Sequence, residues 1–200
     1  MSSKEQLVFK IVLLGDEHSK FFLRPRNANP VGDDKNDTIG IRIFMKVIEF
    51  EQYLVKLVLW DLNNSPKFSN YRHLYYKDAE GALVYYDVTK LNFFQDLKSK
   101  LEEFLKHSLK NTKIILIGMI PKKGERVIGK EDGFTLLREF PSILAFKELR
   151  LGEIDELEEL IAFLIKELLN KCKKLNSIIE LNFKILGFRS CYNFNKKGSF

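Results

Sequence analysis

Residues 81–87 read GALVYYD, from Gly81 to Asp87, with no charge before the last residue. A continuous apolar run of this length has the signature of a strand buried on both faces, because a half-exposed strand would alternate. Directly after it, from Phe93 to Leu109, the residues Phe94, Leu97, Leu101, Phe104 and Leu105 recur at steps of three and four, which predicts a helix. Lys113 to Gly118 (KIILIG) is a second buried strand, Lys130 to Phe140 is helix-like, and Ser142 to Phe146 is strand-like. Ile154 to Leu169 is an amphipathic helix carrying Leu157, Leu160, Ile161, Leu164 and Leu168. Upstream, Val8 to Leu14 (VFKIVLL) is a strand that enters a loop at Gly15, and Ile41–Phe50 with Tyr53–Trp60 reads as a hairpin turning at Glu51 and Gln52. Strands alternating with helices predict an α/β domain with three layers: a mostly parallel sheet of about six strands, one antiparallel hairpin strand, and helices on both faces. Ligands of such sheets bind beyond the carboxyl ends of the strands, so Gly15, Asp61, Asp87 and Gly118 onward mark the expected site.

The 200 residues fit one domain, and 45% hydrophobic with 30% charged residues excludes a disordered chain. No apolar stretch approaches the roughly 20 residues of a spanning helix. Met1 to Gln6 shows neither a signal peptide nor a myristoylation glycine, so a cytoplasmic protein is expected. Cys172 and Cys191 have no metal or redox spacing and are expected as reduced thiols. His18, His73 and His107 are far apart, with no second His, Cys or carboxylate at ligand spacing, which predicts surface histidines. The net charge of +6 is concentrated at one end: after Ile165 there are eight basic residues against Glu167 and Glu180, and the body before them is neutral. A basic tail on a neutral body points to an anionic membrane surface or to plain solvation. Nucleic acid is not expected, since its binders spread positive charge over a face of the fold.

Four stretches carry a family likeness: KIVLLGD (Lys10–Asp16), TIGI (Thr38–Ile41), VKLVLWD (Val55–Asp61) and YYKDAEGALVYYDVT (Tyr75–Thr89). In this order and spacing the chain resembles the Ras superfamily of small GTPases, especially its Rab branch, over about Phe9 to Leu169. The resemblance implies a P-loop NTPase-like fold, a GTPase-like domain over 7–170 and a basic, partly apolar tail over 171–200. It also implies GTP or GDP with Mg2+ as cofactors. Gly15, Asp16, Ser19 and Lys20 then form the remnant phosphate loop, with Thr38 and Asp61 beside the metal.

The loops depart from the family pattern one after another. Against G-x-x-x-x-G-K-[ST], the chain has GDEHSKFF from Gly15 to Phe22, one residue short, with Ser19 in place of glycine and Phe21 in place of the metal-binding hydroxyl. Pro25 falls where the following helix should continue. Asn64 replaces a phosphate-sensing glycine, and Ser65 replaces the glutamine that orients the attacking water. Met119-Ile120-Pro121-Lys122 stands in place of the guanine-reading N-K-x-D, and Glu148-Leu149-Arg150 at about the S-A-K loop.

The expectation is therefore a Rab-like protein, impaired in GTP binding and hydrolysis, that binds protein partners through its switch-equivalent surface in intracellular traffic. No catalytic residue is assigned. The alternatives are a GTP-binding switch or slow GTPase with relaxed base specificity, and an anionic-membrane binder acting through the tail. The end, NKKGSF, predicts no prenylation, while Cys172 beside Lys173 and Lys174 is a candidate for palmitoylation. Ser177 to Phe188 is apolar enough to form an extra strand or helix, or to dock on a partner.

Overall fold

The computed structural model describes residues 4–15, 29–30, 40–62, 66–150 and 153–185. Strand β1 (Glu5–Leu14) is the centre of the architecture. It pairs in parallel with β4 (Tyr53–Leu62) on one side and with β5 (Gly81–Asp87) on the other. On the β4 side, β3 (Ile41–Phe50) runs antiparallel, and the hairpin turns at Glu51, whose φ of 53° closes a two-residue turn. On the β5 side, β6 (Lys113–Ile120) and β7 (Ile143–Arg150) continue in parallel. A two-residue strand β2 (Asn29–Pro30) adds to the edge beside β3, so the order is β2-β3-β4-β1-β5-β6-β7. This is the expected mostly parallel α/β sheet, with β2 as the one strand the sequence pattern did not suggest.

Strands β1, β5 and β6 read as continuous apolar runs because both of their faces are covered. On one face, Val12, Leu14, Ala82, Val84, Tyr86, Ile114 and Leu116 pack with α1 (Ser69–Tyr76), α2 (Leu91–His107) and α3 (Lys130–Glu139) through Tyr76, Leu97, Leu101, Phe104 and Leu136. The alternate residues Ile11, Leu13, Leu83, Ile115 and Ile117 are buried on the opposite face, where Leu164 of α4 (Ile154–Ile185) lies beside Gly81 and Ile11. Fully burying a side chain of this size is worth about 1.5–3 kcal/mol, so the two layers of branched residues dominate the fold's stability. The Gly129 amide, at the start of α3, donates to the Asp132 carboxylate at 2.8 Å, satisfying one of the orphan donors of the first turn. Lys46 on β3 forms a two-oxygen ion pair with Glu158 on α4, and the ammonium is nearly buried.

The chain divides into two compact units, residues 1–164 and 165–200. Helix α4 extends to Ile185, well past Leu169, so the part of the Ser177–Phe188 segment that is described is helical. Residues 186–188 lie outside the described residues. Among the described residues, no helix is long and apolar enough to cross a membrane.

Candidate functional site

Because β1, β4, β5, β6 and β7 are parallel, Gly15, Asp61, Asp87, Ile120 and Arg150 all fall at one edge of the sheet. Order reverses around β1, with its sequential neighbours to one side and the later strands to the other, and such a switch point opens a crevice. Leu14 pairs with Val84, so Gly15 follows directly beside Tyr85. A Cβ on Gly15 would lie 1.8 Å from Cε2 of the Tyr85 ring. Glycine is thus required here by a wholly buried phenol lying against the strand end. Asp61, next to last in β4, is buried between Leu13 and Arg42 in the pairing register. Asp87 is committed to the turn after β5: its Oδ1 accepts the Thr89 amide at 2.8 Å and the Thr89 hydroxyl at 2.7 Å. Of the residues assigned to phosphate, metal and water, Asp16, Ser19, Lys20, Thr38 and Ser65 lie outside the described residues, as do Phe21, Pro25 and Asn64. The structure therefore places Gly15 and Asp61 at the strand-end edge.

The end of β6 is chemically distinct. Met119 is buried and its carbonyl accepts the Val88 amide at 3.0 Å. Ile120 and Pro121 are half-buried, Lys122 and Lys123 are exposed, and the chain turns at Gly124 with φ of 115°. Guanine presents a ring N–H and an amino group that need an acceptor, whereas a lysine ammonium offers donors alone. The side chains of residues 119–122 thus include no carboxylate acceptor for guanine's donor edge.

Glu148, Leu149 and Arg150 are not in a loop, as the resemblance suggested, but form the last residues of β7. Their strand state follows from pairing with Gly118, Met119 and Ile120. Glu148 is fixed by a two-toothed ion pair with Arg126, at 2.7 and 3.0 Å, and Arg126 also donates to the Ile128 carbonyl at 3.1 Å. Gly118, between Tyr86 and Glu148 in register, leaves the room they need: a Cβ there would sit 3.1 Å from the Glu148 side chain and 3.2 Å from the Tyr86 hydroxyl. Burial, with the nearby Glu148 carboxylate, pushes the Tyr86 phenol well above its ordinary pKa, so it stays neutral.

A second surface lies where the hairpin meets α1, a helix that the sequence pattern did not reveal. Trp60 pairs with Ile43 across the hairpin, and its ring centroid is 6.2 Å from that of Tyr75 on α1. Beside them Tyr71 and Leu74 are exposed, at 60% and 58%. Trp60 is half-buried and packs against the hydrophobic core. The Lys10 ammonium lies 3.8 Å from its ring centroid. Burial holds Lys10 below the usual lysine range, while Asp78 acts in the opposite direction. On the far side of α1 the His73 ring lies 5.3 Å, centroid to centroid, from that of His107 on α2. Tertiary packing, which spacing along the chain does not encode, brings them together.

The model of the Ras family matches residues 10–170. Rab-37 of Homo sapiens is 32% identical over 143 residues, covering 70% of this chain and 64% of its own length. Rab-26 of Rattus norvegicus is 28% identical over 138 residues, covering 67% of this chain and 54% of its own. Rab11D of Nicotiana tabacum is 31% identical over 186 residues, covering 90% and 82%. The chain thus spans less than two thirds of the length of these mammalian relatives. With its β1-centred parallel sheet, its antiparallel hairpin strand and Gly15 and Asp61 at the strand ends, the chain belongs to the Ras family and is a Rab-like small GTPase by kinship.

Proposed function

We propose that this chain is a Rab-like protein-binding module with a weakened nucleotide site, acting in intracellular traffic by the shape of its surface rather than by nucleotide state. The observation that carries this reading is the contrast between the two ends of the molecule's chemistry. The Trp60–Tyr75 pair and the exposed Tyr71 and Leu74 offer an aromatic surface of the kind that anchors protein partners. At the end of β6, Lys122 faces solvent where a base-reading carboxylate would be needed. If each missing polar contact weakens binding by about 1–3 kcal/mol, the changes at Ser19, Phe21, Asn64 and Lys122 together remove about 4–12 kcal/mol, a third or more of the roughly 12 kcal/mol of a nanomolar ligand. Calorimetry of the full chain with GTP and Mg2+ tests this. Binding weaker than micromolar is expected, and micromolar or tighter binding overturns it.

A second reading keeps the switch. Gly15 and the buried Asp61 sit at the strand ends where phosphate and Mg2+ would be held. With Lys20 and Thr38 they would hold the phosphates and Mg2+ while base preference is relaxed. On that reading the nucleotide co-purifies with the protein and Lys20→Ala removes it. The basic tail supports a third role at anionic membranes, tested by liposome sedimentation of the full chain against one ending at Asn170.

A further inference from the structure

Helices α1 and α2 meet along a short seam. The Tyr76 ring stands edge-on to Phe104, with centroids 5.3 Å apart and planes at 85°. One turn back along α1 and one turn forward along α2, His73 faces His107 at 5.3 Å with planes at 47°. The helices therefore cross antiparallel, and the seam that begins as an apolar aromatic pair ends as an imidazole pair. Both histidines are half-buried.

The geometry points to a two-imidazole site, His73 with His107, for a divalent transition ion of the zinc class that bridges α1 and α2. Two imidazole nitrogens at about 2.0–2.1 Å from a tetrahedral ion set their ring centroids about 5 Å apart, whereas a cis pair on an octahedral ion sits nearer about 4.5 Å. The observed 5.3 Å brings the two rings within reach of a single bridging ion. Neutral nitrogen donors favour zinc, copper or nickel over the hard, oxygen-seeking Mg2+ and Ca2+. The surroundings carry both signs, with Lys106 beside His107 in the last turn of α2. His107 is the last residue of α2, at the negative end of the helix dipole. Glu103, one turn earlier on that helix, is close enough that its charge helps raise the Tyr76 pKa behind the larger effect of burial. Among the described residues, no three His, Cys, Asp or Glu side chains gather as a metal cluster, so an ion on this pair would need solvent for its other ligands. Exchangeable rather than structural binding follows.

An ion here ties α1, which carries Tyr71, Leu74 and Tyr75, to the body of the sheet. That regulatory consequence rests on the partner-binding reading above, but the site itself does not. The test is calorimetric titration of the full chain with ZnCl2, free of nucleotide and chelator, for the unaltered protein, His73→Gln, His107→Gln and the double variant. One saturable equivalent is expected, weakened by about tenfold or more in each single variant and absent in the double. A measurement on the unaltered protein alone guards against misfolded variants: zinc, but not MgCl2, should protect both His73 and His107 from diethyl pyrocarbonate, read by peptide mass. No saturable zinc binding, undiminished binding in a folded single or double variant, or labelling unchanged by zinc overturns the site. None of these outcomes bears on the affinity for GTP, which its own calorimetry decides.

Discussion

The Lys10 ammonium lies 3.8 Å from the centroid of the Trp60 ring and donates at 2.7 Å to the Lys77 carbonyl, so one side chain of β1 holds both the hairpin tryptophan and the end of α1. Lys10→Met keeps the stem and removes the charge. Urea denaturation should show a loss of about 1–2 kcal/mol, the sum of a partly desolvated cation–π contact and one hydrogen bond. In a double-mutant cycle with Trp60→Leu, a coupling of about 0.5–1 kcal/mol is expected. Additive single effects would mean that the two side chains do not act together.

Gly15 is tied to Tyr85 by space rather than by backbone freedom, since a Cβ would fall 1.8 Å from the ring. Gly15→Ala should therefore destabilise the protein by about 1–3 kcal/mol, as overpacking against a buried ring does. Replacing the ring in Gly15→Ala/Tyr85→Leu should recover part of that loss relative to Tyr85→Leu alone. Equal penalties in the two backgrounds, compared by thermal melting, would remove the steric explanation.

The Arg126–Glu148 pair predicts an asymmetry. Glu148 is the deeper partner, its side chain 11% exposed against 39% for Arg126. Arg126→Met leaves a mostly buried carboxylate beside Tyr86 without its cation, whereas Glu148→Gln leaves a guanidinium that can turn to water. Chemical denaturation should find Arg126→Met the costlier change, at about 2–4 kcal/mol against about 1 kcal/mol. The reverse order would contradict the assigned burial.

How far the sequence revealed this molecule depends on which forces acted locally. GALVYYD and KIILIG are legible because a strand covered on both faces has no reason to alternate. Helix α1 was hidden in SNYRHLYY, a short segment with no side-chain cap and only Arg72 and Tyr76 buried, so its helicity comes from packing on α2 rather than from pattern. Glu148 to Arg150 were misread as a loop because family likeness was followed where pairing with β6 decides. That Gly15 and Asp61 fall at strand ends was legible, since position in a parallel sheet is set by the runs themselves. The His73–His107 contact had no local signal at all. It exists only once two helices have docked.

The exposed residues of α1 make a prediction of a different kind. Leu74→Asp, at a position 58% exposed, should change stability by no more than about 0.5 kcal/mol. Binding of a partner that uses the Trp60–Tyr75 surface should nevertheless be lost, read by calorimetry with that partner once identified by cross-linking from Tyr71 or Leu74. A Leu74→Asp protein that binds unchanged would move the partner surface elsewhere.

On the proposed function, kinship with Rab proteins has outlasted tight nucleotide binding. The most direct measurement is to denature the purified full chain and quantify released nucleotide by chromatography. Far less than one equivalent of GDP or GTP per chain is expected. Close to one equivalent of guanine nucleotide would contradict it.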